Sequence, residues 1–136
     1  MSWAPHDIDR PDVLAEVHAV FEAYERALMA NDVAALNDFF WHDPRTTRYG
    51  IADRQLGIDE LMAFRAATPA PAFTRTLHRL RILALGPDLA MAQVEFKRSD
   101  TSLHGFQTQT WARMASGPEG WKIVAAHVSM IPFAAG

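Results

Sequence analysis

After Pro11, apolar side chains return at three- and four-residue steps: Val13, Val17, Val20, Phe21, Tyr24 and Leu28. That spacing predicts one buried face of a helix running to about Ala30, with Tyr24 pointing inward. Residues 1–9 read as a loose arm before it. Asn31-Asp32 breaks the periodicity and caps a second helix, Val33 to Phe40. A short strand is expected near Thr46–Gly50, a turn at Ala52-Asp53-Arg54, and a return leg at Gln55-Leu56-Gly57. A third helix starts at Gly57 or Asp59 and runs to about Ala67, where Thr68-Pro69-Ala70-Pro71 ends it. The remaining chain is strand-like over Phe73–Leu85, Leu89–Arg98, His104–Met114 and Trp121–Met130, with turns at Gly86-Pro87-Asp88 and Ser116–Gly120. Helices followed by an antiparallel meander predict an α+β class, with three N-terminal helices on a curved sheet and one domain over residues 10–132.

Alternation does not settle which side of the last strand the helices cover. Trp121, Ile123, Ala125, His127 and Ser129 share one parity; Lys122, Val124, Ala126, Val128 and Met130 share the other. Both sets are largely apolar. In the strand before, Gln107, Gln109, Trp111 and Arg113 oppose Phe106, Thr108, Thr110 and Ala112.

The polar signal sits in Phe39–Gly50, two arginines and four aromatics at a helix-to-strand junction. Thr46, Arg48 and Gly50 share a face, and no acid stands within two residues of Arg48. If that face is inward, the guanidinium needs an anion. It is either an internal carboxylate, such as Asp43 or Glu95, or a ligand. Arg45 abuts Pro44 at the loop edge and is the weaker candidate.

Composition narrows the classes. A chain of 136 residues, 49% hydrophobic and 21% charged, has the balance of a globular domain. Net charge is −3 with no basic run, which argues against nucleic acid. No apolar run approaches the ~18 residues of a membrane span, and no signal-peptide pattern opens the chain, so a cytoplasmic protein is expected. There is no cysteine, and the six histidines form no close ligand pair, so neither a metal nor another cofactor is expected.

Four segments together are distinctive: Arg10-Pro11-Asp12-Val13, Phe39–Gly50, Gln109-Thr110-Trp111 and Gly120–Ser129. They resemble the AtzH-like family, which includes the oxalurate-catabolism protein HpxZ, over about residues 10–132. The resemblance implies the cone-shaped fold of the SnoaL-like, NTF2-like superfamily and a small homo-oligomer, usually a dimer formed through the open sheet face. It implies a role in ureide catabolism, with amidohydrolase activity on a carboxylated urea or oxalurate-like compound. It also implies a functional pair, Tyr24 and Arg48. The tail 133–136 lies outside the pattern.

Each candidate carries two readings. Arg48 offers the planar fork that binds a carboxylate, or pairs with an internal acid. Tyr24, protonated at neutral pH, is a proton donor or a packed core tyrosine. His127 and Ser129 are polar pocket lining, base and nucleophile, or ordinary packing. Gln109 and Trp111 hold and wall in a urea group, or Trp111 only packs. Arg65 is a second anion ligand or the solvated edge of the third helix. Trp41 packs and His42 caps the second helix. The expectation is thus a cofactor-free hydrolase on a small anionic amide or ureide, with Arg48 and Tyr24 as its working pair. The alternative is a ligand-binding or accessory protein supporting a partner amidase. Isomerase or dehydratase chemistry is a weaker third.

Overall fold

A computed structural model describes residues 2–134. Helix α1 spans Pro11–Ala30, with Val13, Val17, Phe21, Tyr24 and Ala27 buried. Asn31 closes it in the left-handed conformation, donating its N–H back to Ala27 and Leu28. Asp32 then caps α2 (Val33–Phe39) by accepting from the Ala35 N–H. Two three-residue strands follow, β1 (Thr47–Tyr49) and β2 (Arg54–Leu56), then helix α3 (Ile58–Ala67). Four long strands complete the chain: β3 (Arg75–Leu85), β4 (Leu89–Arg98), β5 (His104–Arg113) and β6 (Trp121–Ile131).

The six strands form one sheet in the order β2-β1-β6-β5-β4-β3. All neighbours are antiparallel except β1 and β6, which run parallel. The class is α+β as expected: three helices on one face of a curved, mostly antiparallel sheet. The core lies between, built on Val17, Phe21, Leu36, Phe40, Leu61, Trp111, Trp121 and Ile123.

The parity question in β6 resolves through an irregularity. Thr110 pairs with Ala125 and Trp111 with Ile123, so Val124 has no partner of its own. The bulge switches faces midway. Trp121 and Ile123 point to the helices before it, whereas Ala126 and Val128, opposite inward Gln109 and Gln107, do so after it. Neither alternating set was right along the whole strand, which is why both looked apolar. A second shift between His78 and Arg81, where Arg79 takes a positive φ of 53°, bends β3. Together the bulges curl the sheet around the helices and leave room at one end.

The opening segment is fastened, not loose. Pro5–Asp7 makes a 3-10 turn, Ile8 bridges Leu85, and the Asp9 carboxylate accepts from the Ala84 N–H at 2.9 Å. At the other end the ring of Phe133 packs on His104 and Phe106; residues 135–136 of the expected tail lie outside the described residues.

Candidate functional site

The room left by the curled sheet is a cavity of about 450 Å³. Its walls are α1, α3, the segment Thr68–Phe73 and the helix-facing side of β1, β4, β5 and β6. Sequence places long polar side chains here by putting small ones beside them. Ala92 and Ala126 flank Gln109 in the neighbouring strands, and Ala90 flanks Trp111.

Arg48 rises into this cavity, because β1 puts it opposite Ala126 on the inner face. Its Nη1 donates to Asp53 Oδ1 and to Gln55 Oε1, both at 2.8 Å, and Gln55 Nε2 donates to the same Asp53 oxygen at 2.9 Å. The anion it needs is therefore an internal acid, but not one of the two named from sequence. Asp43 is held by Arg45 at 2.8 Å and Glu95 by His104 at 2.7 Å. Asp53 returns from the turn because the Gly50 N–H binds its carbonyl at 2.9 Å. A side chain at Gly50 would meet the Asp53 carboxylate at 2.2 Å and displace it from its place beside Arg48. Burial holds the Arg48 guanidinium below its usual range, with Asp53 pulling the other way.

The uncompensated cation is Arg65. Expected as a solvated edge or an anion ligand, it is 6% exposed, and with Leu61 it is one of two buried residues of α3. Its Nη2 donates to the Tyr24 hydroxyl at 2.9 Å; its Nε is buried with no acceptor. Among the described residues no carboxylate pairs with it. The partner of Tyr24 is thus Arg65 rather than Arg48. Tyr24 is itself 4% exposed, wedged edge-on between Phe39 and Phe40. Because its oxygen accepts from Arg65, its own proton is free for a further acceptor.

A third guanidinium, Arg75, sits 4.0 Å above the Phe96 ring and 3.0 Å from Glu25, and donates to Gln107 Oε1 at 3.1 Å. The Glu25 contact has the distance of an ion pair without hydrogen-bond alignment, leaving Oε1 unsatisfied. Burial raises the Glu25 pKa and lowers that of Arg75, so desolvation outweighs their attraction. Neither residue was singled out from sequence. Gln107 had a signal, the shared parity with Gln109. Arg75 and Glu25 had none, being charged residues at a strand start and on a helix.

The other candidates divide. Gln109, 1% exposed, lines the cavity. Trp111 does not: it is buried in the core edge-on to Phe39, and reaches the site only by donating its indole N–H to Gln109 Oε1 at 3.1 Å. His127 touches the cavity rim, but it is exposed and packs edge-on against Tyr49 on the far side of the sheet. Ser129, two residues on, shares that outer side and does not line the cavity. The bulge at Val124 is the physical reason, since it turned their parity outward. His42 Nε2 lies 2.9 Å from the Asn37 carbonyl, the helix cap expected. Among the described residues no three His, Asp or Glu side chains converge as a metal would require, and no helix is long and apolar enough to cross a membrane.

Comparison with known proteins places this geometry. Among curated proteins none matches the chain. A protein of unknown function from Pectobacterium atrosepticum, of the family DUF3225, is 46% identical with a TM-score of 0.89, over 96% of this chain and 99% of that one. A cystatin-like fold protein from Burkholderia xenovorans is 46% identical with a TM-score of 0.88, over 93% and 98%. An NTF2-like superfamily protein from Salmonella enterica shares the fold at 22% identity, TM-score 0.71, over 93% and 95%. The AtzH-like family model matches residues 6–133, and the chain belongs to the AtzH-like family.

Proposed function

We propose that the cavity binds a small carboxylated amide or urea, oxalurate-like in size, and that the protein hydrolyses its carbon–nitrogen bond without a cofactor. One observation carries the reading: Arg65 is a buried guanidinium with an orphaned Nε, facing a cavity and lacking a carboxylate of its own. The lining supports an anion, since Arg48, Arg65, Arg75 and Arg98 face only Asp53 and Asp100, in a chain whose overall charge is −3. Low-dielectric walls strengthen that local field.

In this reading Arg65 takes the ligand carboxylate, and Arg48 braces the wall through Asp53. Asp53 Oδ2, which makes no hydrogen bond to the described residues, holds the attacking water and takes its proton as oxygen bonds to the carbonyl carbon. As the carbon–nitrogen bond breaks, Tyr24 gives its proton to the leaving nitrogen. Gln109 orients the carbonyl. A second reading, a ligand-binding or accessory protein for a partner amidase, has its own support: Asp53 is already engaged by Arg48 and Gln55, and the His127 ring lies across the sheet. We further propose a homodimer through the open sheet face, where Tyr49, Leu83, Ile131 and Phe133 are exposed.

Calorimetry with oxalurate, run beside an ammonia-release assay, tests both. Binding with turnover, lost in Tyr24→Phe while binding persists, supports hydrolysis. Binding without ammonia supports the accessory reading. Absence of binding overturns the site.

A further inference from the structure

Gln107 and Gln109 stand two residues apart on the inner side of β5, about 7 Å along the strand. A free glutamine amide shows a ligand either its donor or its acceptor, because it rotates. Here neither is free. The Trp111 indole can only donate, and it donates to Gln109 Oε1. The Arg75 guanidinium can only donate, and it donates to Gln107 Oε1. Each amide is turned with its oxygen on an obligate donor, so its NH2 is fixed on the other side. Gln107 Nε2 is buried with no acceptor at all, and both glutamines line the cavity. The orphaned Nε atoms of Arg65 and Arg75 have the same character.

We propose that Trp111 and Arg75 are positioning residues that lock Gln109 and Gln107 into a donor-only wall. This wall selects ligands whose facing edge carries carbonyl or carboxylate oxygens rather than N–H groups. The inference rests on the reading of the cavity as the ligand site, and adds to it which atoms the site reads. A ligand lacking an oxygen at the wall leaves a buried donor unpaired, a penalty that hydrophobic contact cannot repair. An ammonium or an amide N–H there meets a second donor and has no lone pair to offer it.

Two compounds isolate the effect: oxalurate, and hydantoate, in which a CH2 replaces the carbonyl beside the carboxylate. Calorimetry on the full chain is expected to give the wild type a preference for oxalurate of about tenfold or more. Trp111→Phe, which keeps a ring but frees the Gln109 amide, is expected to bring that preference below about threefold with hydantoate affinity unchanged. Should Trp111→Phe fold poorly, Gln109→Met and Gln107→Met remove the donors at similar volume and are expected to do the same. A merely structural role would weaken both compounds together and leave their ratio intact. An intact ratio in these variants overturns the inference alone; no binding of either compound to the wild type overturns the cavity reading and this inference with it.

Discussion

Replacing Arg65 with methionine should make the ligand-free protein more stable while removing its affinity for anions. In the ligand-free protein Arg65 holds one hydrogen bond, to the Tyr24 hydroxyl, against a buried Nε with no acceptor and a charge with no counter-ion. The lost bond has a charged donor and is worth about 1.5–3 kcal/mol. The orphaned donor costs about 1–3 kcal/mol, and the desolvated charge adds several kcal/mol before relaxation. Methionine keeps the aliphatic length that packs beside Leu61 and carries no polar atom to strand. The net expectation is a gain of about 1 kcal/mol, or about 4 °C in Tm for a chain of this size. Urea unfolding in buffer, repeated with oxalurate, is the assay. The wild type should gain about 2.7 kcal/mol at a hundredfold excess over Kd, and the variant nothing. A satisfied buried arginine behaves in the opposite way, losing about 3–5 kcal/mol on truncation. A loss of 2 kcal/mol or more in Arg65→Met would refute the reasoning, since it would mean that Arg65 serves the fold and not a ligand.

Three other perturbations separate the remaining parts. Arg48→Met strands Asp53 and Gln55, which Arg48 now holds, and should destabilise by about 1–3 kcal/mol in the same urea assay, the reverse of Arg65→Met. Gly105→Ala would drive a methyl to 2.3 Å from the Phe96 ring that underlies Arg75; about 1–3 kcal/mol of stability should be lost, and oxalurate affinity should fall with it. Glu25 titrates above its ordinary 4.5 because it is buried. Between 4.5 and its raised value the folded chain therefore holds a proton that the unfolded chain has released, and stability falls as pH rises through that window. Glu25→Gln should flatten that decline in chemical-denaturation scans across pH; an unchanged slope would count against it.

The fold was legible because its signals are local. Six apolar residues at helical spacing mark α1, prolines end α3, and glycine-containing turns separate β3 from β4 and β5 from β6. Where the sequence misled, the cause was a single added residue. Val124, with no partner in β5, inverts the parity of everything after it, which leaves His127 at the cavity rim and Ser129 on the outer face. No periodicity reveals such a bulge when both faces are apolar. Arg48 reaches the cavity, but its acid was hidden in a turn whose residues read only as turn formers.

Arg65 was underweighted for a deeper reason. Sequence marks polar residues on a helix as solvated unless an apolar stripe claims them, and α3 has little stripe: only Leu61, one turn earlier, shares the buried side. Burial alone would not have ranked it either, since Arg48 and Arg75 are buried too. What separates the three is a counter-ion. Arg48 has Asp53 and Arg75 has Glu25 within ion-pair distance, whereas Arg65 has only the Tyr24 phenol. A fold selected for stability alone would have paired that charge or replaced it with an aliphatic side chain. Retaining it beside a cavity is intelligible if the missing acceptor arrives from solution, and the sign of the Arg65→Met stability change decides whether it does.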